Sequence, residues 1–211
     1  MTVSPILLFL YNRPGHTKKT IEALKSNYLA KESELIIFSD GPKKEKEKNK
    51  VEKVRNVIKN IDGFKNAEIK NSKYNKGLAN SIISGITEII NKKGNVILLE
   101  DDLITHPCFL NCVNEALDYY KNNNKIWRIS GYCPPIEIPN NCYNDIFLNP
   151  QASSWDCRTW KNRLNLNDWK IKNFDNFIKN KKIQKRFNIG GEDMTEMLCS
   201  QIAGEYFNDK I

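Results

Sequence analysis

The stretch VILLEDD (96–102) places three consecutive acids directly after four apolar residues. An unbroken apolar run of this length is typical of a β-strand that is covered on both faces. Carboxylates at the end of such a strand cost free energy on burial unless they are paired or bind a cation. Several carboxylates that converge at a strand end form a natural site for a divalent metal ion. The alternative interpretation is a solvated acidic turn.

Three further strand patterns precede this stretch, and they alternate with helical patterns. The strands are predicted over 6–11, 34–38 and 67–70. Apolar residues recur at helical spacing between the strands, in Ile21, Leu24 and Tyr28, in Val51, Val54, Ile58 and Ile61, and in Leu78, Ile82, Ile83, Ile86, Ile89 and Ile90. This alternation predicts an α/β fold with a mostly parallel, doubly wound sheet flanked by helices.

Polar residues follow three of the four predicted strands. Asn12-Arg13 follows the first strand, Ser39-Asp40-Gly41 the second and Glu100-Asp101-Asp102 the fourth. Because doubly wound sheets bind ligands outside the carboxyl ends of their strands, we expect these segments to form one ligand site. The sequence contains no glycine-rich phosphate loop, so the phosphates of a bound nucleotide would need a metal ion.

The second half of the chain has a weaker pattern. It predicts strands over 126–130 and 146–148 and a helix that starts at Ser153 and contains Trp160 and Leu164. Thr105 is expected to cap a helix that opens at Pro107. The segment 190–193, Gly-Gly-Glu-Asp, is expected to begin a last helix.

The composition of the 211 residues fits one globular domain with a formal net charge of +8. Nine of its Lys and Arg residues lie in 161–186 against two Asp, which predicts a basic surface for phosphates, an acidic glycan or an anionic membrane face. A solvated lysine-rich face is the alternative. The sequence has no apolar stretch of membrane-spanning length, no secretory signal pattern and no Cys-x-x-Cys pair. We therefore expect a cytoplasmic protein. If the basic surface binds lipid, the protein would be peripheral to the membrane.

Six segments together resemble GT-A glycosyltransferases, in particular bacterial family 2-like transferases and the Golgi N-acetylglucosaminyltransferase I group. They are LFLYNRPGHTKKTIEAL (8–24), FSDG (38–41), NKGLANSI (75–82), VILLEDDL (96–103), SSWDCRTWKNR (153–163) and GGEDM (190–194). The likeness covers nearly the whole chain. It implies the Rossmann-like GT-A fold of nucleotide-diphospho-sugar transferases.

The resemblance also implies roles for the acids of the fourth strand. Asp102 would bind Mn²⁺ or Mg²⁺ directly, and this ion would neutralise the leaving diphosphate as a Lewis acid. Glu100 and Asp101 would hold the ribose or the sugar and metal-bound water. Among the other donor-binding residues, the resemblance implies that Arg13 and Asp40 contact the nucleotide and that Gly77 and Leu78 lie beside the pyrophosphate or ribose.

An inverting transferase also needs a general base, and Glu192 and Asp193 are the candidates. An ordinary acid pair at a helix N-terminus explains them equally well. Relatives continue with an Asp-Ser-Trp segment, whereas this chain ends at Ile211. We therefore expect one catalytic domain truncated at its C-terminus, with a nucleotide-binding half (1–104) and an acceptor half (105–211).

These observations favour a metal-dependent, inverting glycosyltransferase with a nucleotide-sugar donor, UDP-linked in the main interpretation. The acceptor would be a glycan or a lipid-linked oligosaccharide. A sugar nucleotidyltransferase is one alternative, although Asn12-Arg13-Pro14-Gly15 matches its phosphate loop poorly. A module that binds an anionic polymer is the other. Nucleic acid is not expected, because the basic segment lacks a recognised fold and regular aromatic interleaving.

Overall fold

The computed structural model describes residues 3–133, 135, 146–150 and 157–204. The chain divides into two compact units. Unit 1 comprises Met1–Pro134 and Ser153–Leu166, and unit 2 comprises Pro135–Ala152 and Asn167–Ile211. The prediction that the chain has a nucleotide-binding half and an acceptor half stays a prediction.

Unit 1 contains a five-stranded sheet of mostly parallel strands. The strands are β1 (Ile6–Leu10), β2 (Glu34–Ser39), β3 (Asn66–Asn71), β4 (Asn95–Glu100) and β5 (Cys157–Trp160), in the order β3-β2-β1-β4-β5. All neighbours are parallel except β5, which runs antiparallel to β4. The predicted fold class, a mostly parallel α/β sheet flanked by helices, is confirmed. The register places Phe9 beside Glu100 and Leu10 beside Ser39, so β1, β2 and β4 end at the same edge.

The helices of unit 1 cover both faces of this sheet. They are α1 (Pro14–Lys25), α2 (Lys48–Ile58), α3 (Leu78–Lys93), α4 (Phe109–Tyr120) and α5 (Lys161–Leu164), with short 3-10 turns at Ala30–Glu32 and Glu45–Glu47. One core cluster joins α1, α2 and α4 to Leu8, Ile37 and Leu99 of the strands. The other joins α3 to Leu7 and Leu98. This division follows from the alternation of side chains along each strand.

Unit 2 is built from short helices with little buried surface. They are α6 (Phe174–Lys179), α7 (Lys181–Phe187), a 3-10 turn (Asn188–Gly190) and α8 (Met194–Ile202). The ring of Phe177 contacts those of Phe174 and Phe187, with centroid distances of 6.4 and 5.3 Å. Gln184 is the only buried residue among those described in this unit. In the described parts of the chain, no helix has the length and hydropathy of a bilayer-spanning segment.

Two residues of the predicted helical repeats are exposed. Leu78 is 56% exposed, because it is the first residue of α3. Tyr28 is also exposed, since α1 ends at Lys25.

In the second half of the chain, the structure differs from several sequence predictions. Segment 126–130 forms only an isolated bridge, between Ile129 and Arg158, because Ile126 and Ile129 pack against the core cluster instead of forming a ladder. Residues 146–148 form no strand, and their side chains are exposed. Trp160 ends β5, where its indole Nε1 donates a hydrogen bond to the Leu117 carbonyl at 3.2 Å.

Two predicted helix starts have different outcomes. The expected helix start at Ser153 lies outside the described residues. Thr105 does not cap α4, which begins at Phe109. Its hydroxyl instead accepts a hydrogen bond from the Asn27 side-chain amide at 3.0 Å.

Candidate functional site

The ends of β1 and β4 lie side by side and bring a basic residue onto the acid triplet. Arg13 precedes α1 directly, and its guanidinium forms ion pairs with Asp101 and Asp102. The distance from Nη1 of Arg13 to Oδ2 of Asp102 is 3.1 Å. The structure therefore brings together three of the residues that the sequence assigned to one site. Their proximity follows from the register that places Phe9 beside Glu100.

Asp101 is the most buried acid of this cluster, with 3% of its surface exposed. Its carbonyl oxygen accepts a hydrogen bond from the Thr20 hydroxyl at 2.9 Å, which fixes the residue against α1. Burial raises the pKa of the Asp101 carboxyl, and the hydrogen bond from Arg13 acts in the opposite direction. The second oxygen, Oδ2, has no hydrogen-bond partner of normal geometry among the described residues. A contact from the Tyr11 backbone N–H also lowers the pKa of this carboxyl.

Glu100 and Asp102 complete a cluster with more negative than positive charge. Burial raises the pKa of Glu100, repulsion from Asp102 and Asp101 raises it further, and Arg13 lowers it. Arg13 is the one basic residue in ion-pair contact with this cluster among the described side chains. A cation that approaches the cluster would therefore gain favourable electrostatic interactions.

The chemistry of these acids fits a hard divalent cation if a bound ligand supplies the remaining coordinating atoms. Among the described residues, no group of three or more His, Cys, Asp or Glu side chains is arranged to hold a metal ion. The Asp102 side chain is 43% exposed and can reach a ligand in solvent. Mg²⁺ is commonly bound by one or two carboxylates together with substrate phosphates and water. Residue types and exposure thus fit a metal whose remaining ligands come from a bound phosphate-containing molecule and water.

Asp40 organises the turn that leads into α3. Its two carboxylate oxygens accept hydrogen bonds from the backbone N–H groups of Gly41, Lys76 and Gly77 at 2.9–3.1 Å. The Asn75 side chain donates a further bond at 3.1 Å. The carboxylate is nearly buried and engaged on both oxygens. The structure shows Asp40 as a residue that positions this turn, and its direct contact with a nucleotide stays a prediction.

Gly77 is the residue at which this turn becomes helix α3. Its φ of 76° lies in the left-handed region that glycine adopts without strain. Gly41 lies beside the same turn, and a Cβ there would approach the Tyr74 carbonyl carbon to 2.6 Å. The Asp40 backbone N–H donates to the Leu10 carbonyl at 3.0 Å, so this turn lies at the same sheet edge as the end of β1. Leu78 follows Gly77 and is exposed at this edge.

A second network, which the sequence did not predict, ties the loop before α2 to the end of β1. The Tyr11 hydroxyl donates to the Glu47 carboxylate at 2.8 Å and accepts from the Lys43 N–H at 3.0 Å. Glu47 also accepts from the Asn12 amide at 3.3 Å and from the Lys44 N–H at 2.9 Å. The hydrogen bond from Tyr11 lowers the pKa of Glu47. The only sequence signal was the position of Tyr11 and Asn12 at a strand end.

Arg55 of α2 joins the ends of β2 and β3. Its Nη2 atom donates to the Ser72 carbonyl at 2.7 Å and to the Asp40 carbonyl at 3.5 Å. Its Nε atom lies 3.5 Å from the Ser39 hydroxyl. The helical stripe in the sequence identified the apolar face of α2 but not this basic residue beside it.

The predicted general bases belong to unit 2. Glu192 and Asp193 are exposed and precede α8. The Glu192 carbonyl accepts a hydrogen bond from the Asn188 side chain at 2.9 Å, and Asp193 makes no side-chain capping bond. The start of the last helix is thus confirmed, and the catalytic role of both acids stays a prediction.

Comparison with known proteins gives distant structural likenesses only. No protein-family model matches the chain, and no curated protein matches it. Three similar solved structures are those of a cytidylyltransferase from Leptospira borgpetersenii serovar Hardjo-bovis (strain JB197), S. aureus TarS, and a protein named as a nucleotide-diphospho-sugar transferase from Desulfovibrio desulfuricans G20.

The sequence identities to these three are 11%, 14% and 17%, with TM-scores of 0.39, 0.37 and 0.33. The matches cover 61%, 56% and 58% of this chain and 53%, 20% and 56% of the respective structures, so the chain spans less than two thirds of each. At this level of similarity we draw no conclusion about activity from them.

Proposed function

We propose that this chain is a metal-dependent glycosyltransferase that moves a sugar from a nucleotide-sugar donor to a glycan or lipid-linked acceptor. The donor in this proposal is UDP-linked, and the transfer is inverting. The observation that supports it most strongly is the acid cluster at the end of β4, where buried Asp101 lies beside exposed Asp102. Such a cluster at the carboxyl edge of a parallel sheet is suited to a ligand that carries a cation.

Mn²⁺ or Mg²⁺ would be held by Asp102, and when bound it would supply Lewis-acid neutralisation of the leaving diphosphate. Arg13 would hold the Asp101 and Asp102 carboxylates in place through charge-assisted hydrogen bonds and add positive charge at the same edge. Glu100 and Asp101 would orient the ribose or the sugar. These roles use only residues that lie at the ends of β1 and β4.

Asp40, Gly77 and Leu78 would form the other side of the donor site. Asp40 would act by holding the turn at Lys76 and Gly77, as its hydrogen bonds indicate. The first turn of α3 contains no acid of its own, and the Asp40 carboxylate lies at the N-terminus of this helix through its hydrogen bond from the Gly77 N–H. Glu192 or Asp193 would accept the proton of the acceptor hydroxyl.

The length of the loop after β1 favours sugar transfer over nucleotidyl transfer. β1 ends at Leu10 and α1 begins at Pro14, which leaves three residues between them. A glycine- and Arg/Lys-rich loop that wraps the phosphates of a nucleoside triphosphate does not fit into this connection. The products distinguish the two reactions, since sugar transfer releases a nucleoside diphosphate and nucleotidyl transfer releases pyrophosphate.

The test is a thermal-shift panel of nucleotide sugars with and without Mn²⁺ on the wild type, D102N and D118N. Ligands that bind the native state raise its stability, by about 2.7 kcal/mol at a hundredfold excess over Kd. We expect a Mn²⁺-dependent shift with a UDP-sugar that D102N abolishes. Asp118 lies on α4 and pairs with Lys121 at 2.8 Å, so D118N should retain the shift. The absence of any nucleotide-dependent shift, or a shift that D102N leaves intact, would contradict the proposal.

A further inference from the structure

The outer face of α7 in unit 2 is basic and forms no ion pair with an acid among the described residues. Gln184 points inward, where its amide donates to the carbonyls of Phe177 and Ile178 at 3.1 and 2.7 Å. At 100° per residue, Lys182 and Arg186 lie on the opposite face of the helix. Ile183 and Lys185 flank these two, and the side chains of all four are exposed. We call these four residues the α7 face.

Basic residues outnumber acidic ones in segment 167–190, and the exposed acids Glu192, Asp193 and Glu196 follow it along the chain. Segment 167–190 contains seven basic residues, at 170, 172, 179, 181, 182, 185 and 186, against Asp168 and Asp175. Within the described residues, every ion pair lies in unit 1 and none involves these seven. The Asp168 carboxylate accepts from the backbone N–H groups of Lys170 and Lys172 at 3.1 and 2.7 Å, so it is engaged within its own loop.

An apolar side chain is exposed on the same face. Ile183 is 39% exposed. Helices that lie in a membrane interface combine Lys and Arg with aliphatic side chains in this way. A single-stranded nucleic acid site would instead place aromatic rings among the basic residues. The α7 face carries an aliphatic residue and no aromatic ring, which favours lipid.

We propose that the α7 face binds the surface of an anionic phospholipid membrane, independently of whether unit 1 transfers sugar. The attraction comes from Lys182, Lys185 and Arg186, and Ile183 inserts into the headgroup region. Each basic residue near an anionic surface raises the partition coefficient about fivefold. A surface with few basic residues and one inserted side chain binds reversibly and loses affinity as salt rises.

The test is co-sedimentation of the full chain with phosphatidylcholine vesicles that contain or lack phosphatidylglycerol. We expect binding only to the anionic vesicles, with affinity that falls as salt rises. The triple variant K182Q/K185Q/R186Q should bind about tenfold to hundredfold more weakly. The matched control K50Q/K53Q/K59Q removes the same charge from exposed lysines of the α2 region in unit 1 and should bind like the wild type. I183S should bind several-fold more weakly at unchanged salt dependence.

Several results would overturn the proposal. They are equal binding to neutral vesicles, no binding to either vesicle, or equal weakening by the two triple variants. Strong salt-dependent binding to single-stranded RNA with no binding to vesicles would assign the face to nucleic acid instead. Far-UV circular dichroism and thermal unfolding show whether each variant is folded. The vesicle experiment needs no donor or metal, so its outcome is separate from that of the glycosyltransferase test.

Discussion

Arg13 and Asp101 form an ion pair across the ends of two adjacent parallel strands, with Asp101 buried and Arg13 partly exposed. Arg13 is the main source of positive charge beside the Asp101 carboxyl, whose pKa is raised by burial. Its removal should therefore affect both the stability of unit 1 and the geometry of the acid cluster.

The first prediction concerns this ion pair. R13A should lower the free energy of unfolding by about 1–3 kcal/mol, because it leaves the buried Asp101 carboxylate without a counter-ion. R13K should recover part of the loss, since lysine keeps the charge but not the forked geometry. Urea unfolding of R13A, D101N and the double variant measures the coupling, which should be at least about 1 kcal/mol. Additive effects would show that the pair contributes nothing specific.

The second prediction concerns the turn held by Asp40. D40N replaces one accepting oxygen with an NH₂ group that faces backbone donors, so it should destabilise the protein by about 1–3 kcal/mol. Amide hydrogen exchange at Lys76 and Gly77 should accelerate more than exchange in β1. D118N, at an exposed position, serves as the control and should leave exchange at both amides unchanged. Unaltered exchange in D40N would mean that the turn is held by other contacts.

The third prediction compares two helical glycines. A Cβ at Gly85 would lie 2.9 Å from the Phe9 ring and 3.0 Å from the Phe38 ring, which are stacked at a centroid distance of 4.9 Å. G85A should lower stability by about 1–2 kcal/mol, since overpacking outweighs the gain of about 1 kcal/mol in helix propensity. At Gly15 a Cβ meets no atom within 4 Å, so G15A should be neutral or stabilising by up to about 1 kcal/mol.

Thermal or urea unfolding of both variants checks this comparison. The additional substitution F38L should recover part of the loss in G85A by making room for the methyl group. If G85A and G15A behave alike, the close approach of α3 to the two rings does not limit stability.

The fourth prediction concerns the dependence of stability on pH. The hydrogen bond from Lys70, at 2.6 Å, lowers the pKa of Glu88. A carboxyl whose folded pKa is lowered stabilises the protein above its unfolded pKa and loses this contribution as pH falls through the folded value. E88Q should therefore lower the free energy of unfolding near about pH 7 and have no effect in strong acid. The loss should be only a few tenths of a kcal/mol, because the pair is substantially exposed.

Urea unfolding of the wild type and E88Q across the acidic range measures this difference. E115Q changes an exposed acid that has no ion pair among the described side chains, and it serves as the control. A deficit in E88Q that persists in strong acid would assign the effect to packing rather than charge.

The sequence predicted the sheet because its central strands are continuous apolar runs, as at 6–11 and 96–99. It also predicted which residues follow these strands, and the structure brings Arg13, Asp101 and Asp102 into contact. Periodicity failed at Trp160, since a short apolar segment fits a strand or a helix equally well. It also failed at 126–130, where apolar residues pack without forming a ladder.

The hydrogen-bond networks of the site could not be predicted in the same way. Asp40 bonds to N–H groups more than thirty positions further along the chain, and Tyr11 bonds to Glu47 across a similar separation. Backbone N–H donors occur in every sequence segment, so no residue type shows which of them will form hydrogen bonds with a carboxylate. Glu47 also lies in a run of mixed charge, KKEKEKNKVEK (43–53), and such a run is typical of a solvated loop.

β3 lies at one end of the sheet, and its side chains are half-buried or exposed. Its Lys70 ammonium lies 3.2 Å from the Glu68 carboxylate and 2.6 Å from that of Glu88. An outermost strand exposes unpaired backbone groups that can recruit a strand from another molecule, and charged side chains there oppose such recruitment. The charged side chains that connect β3 to α3 thus also oppose edge-to-edge aggregation of the chain.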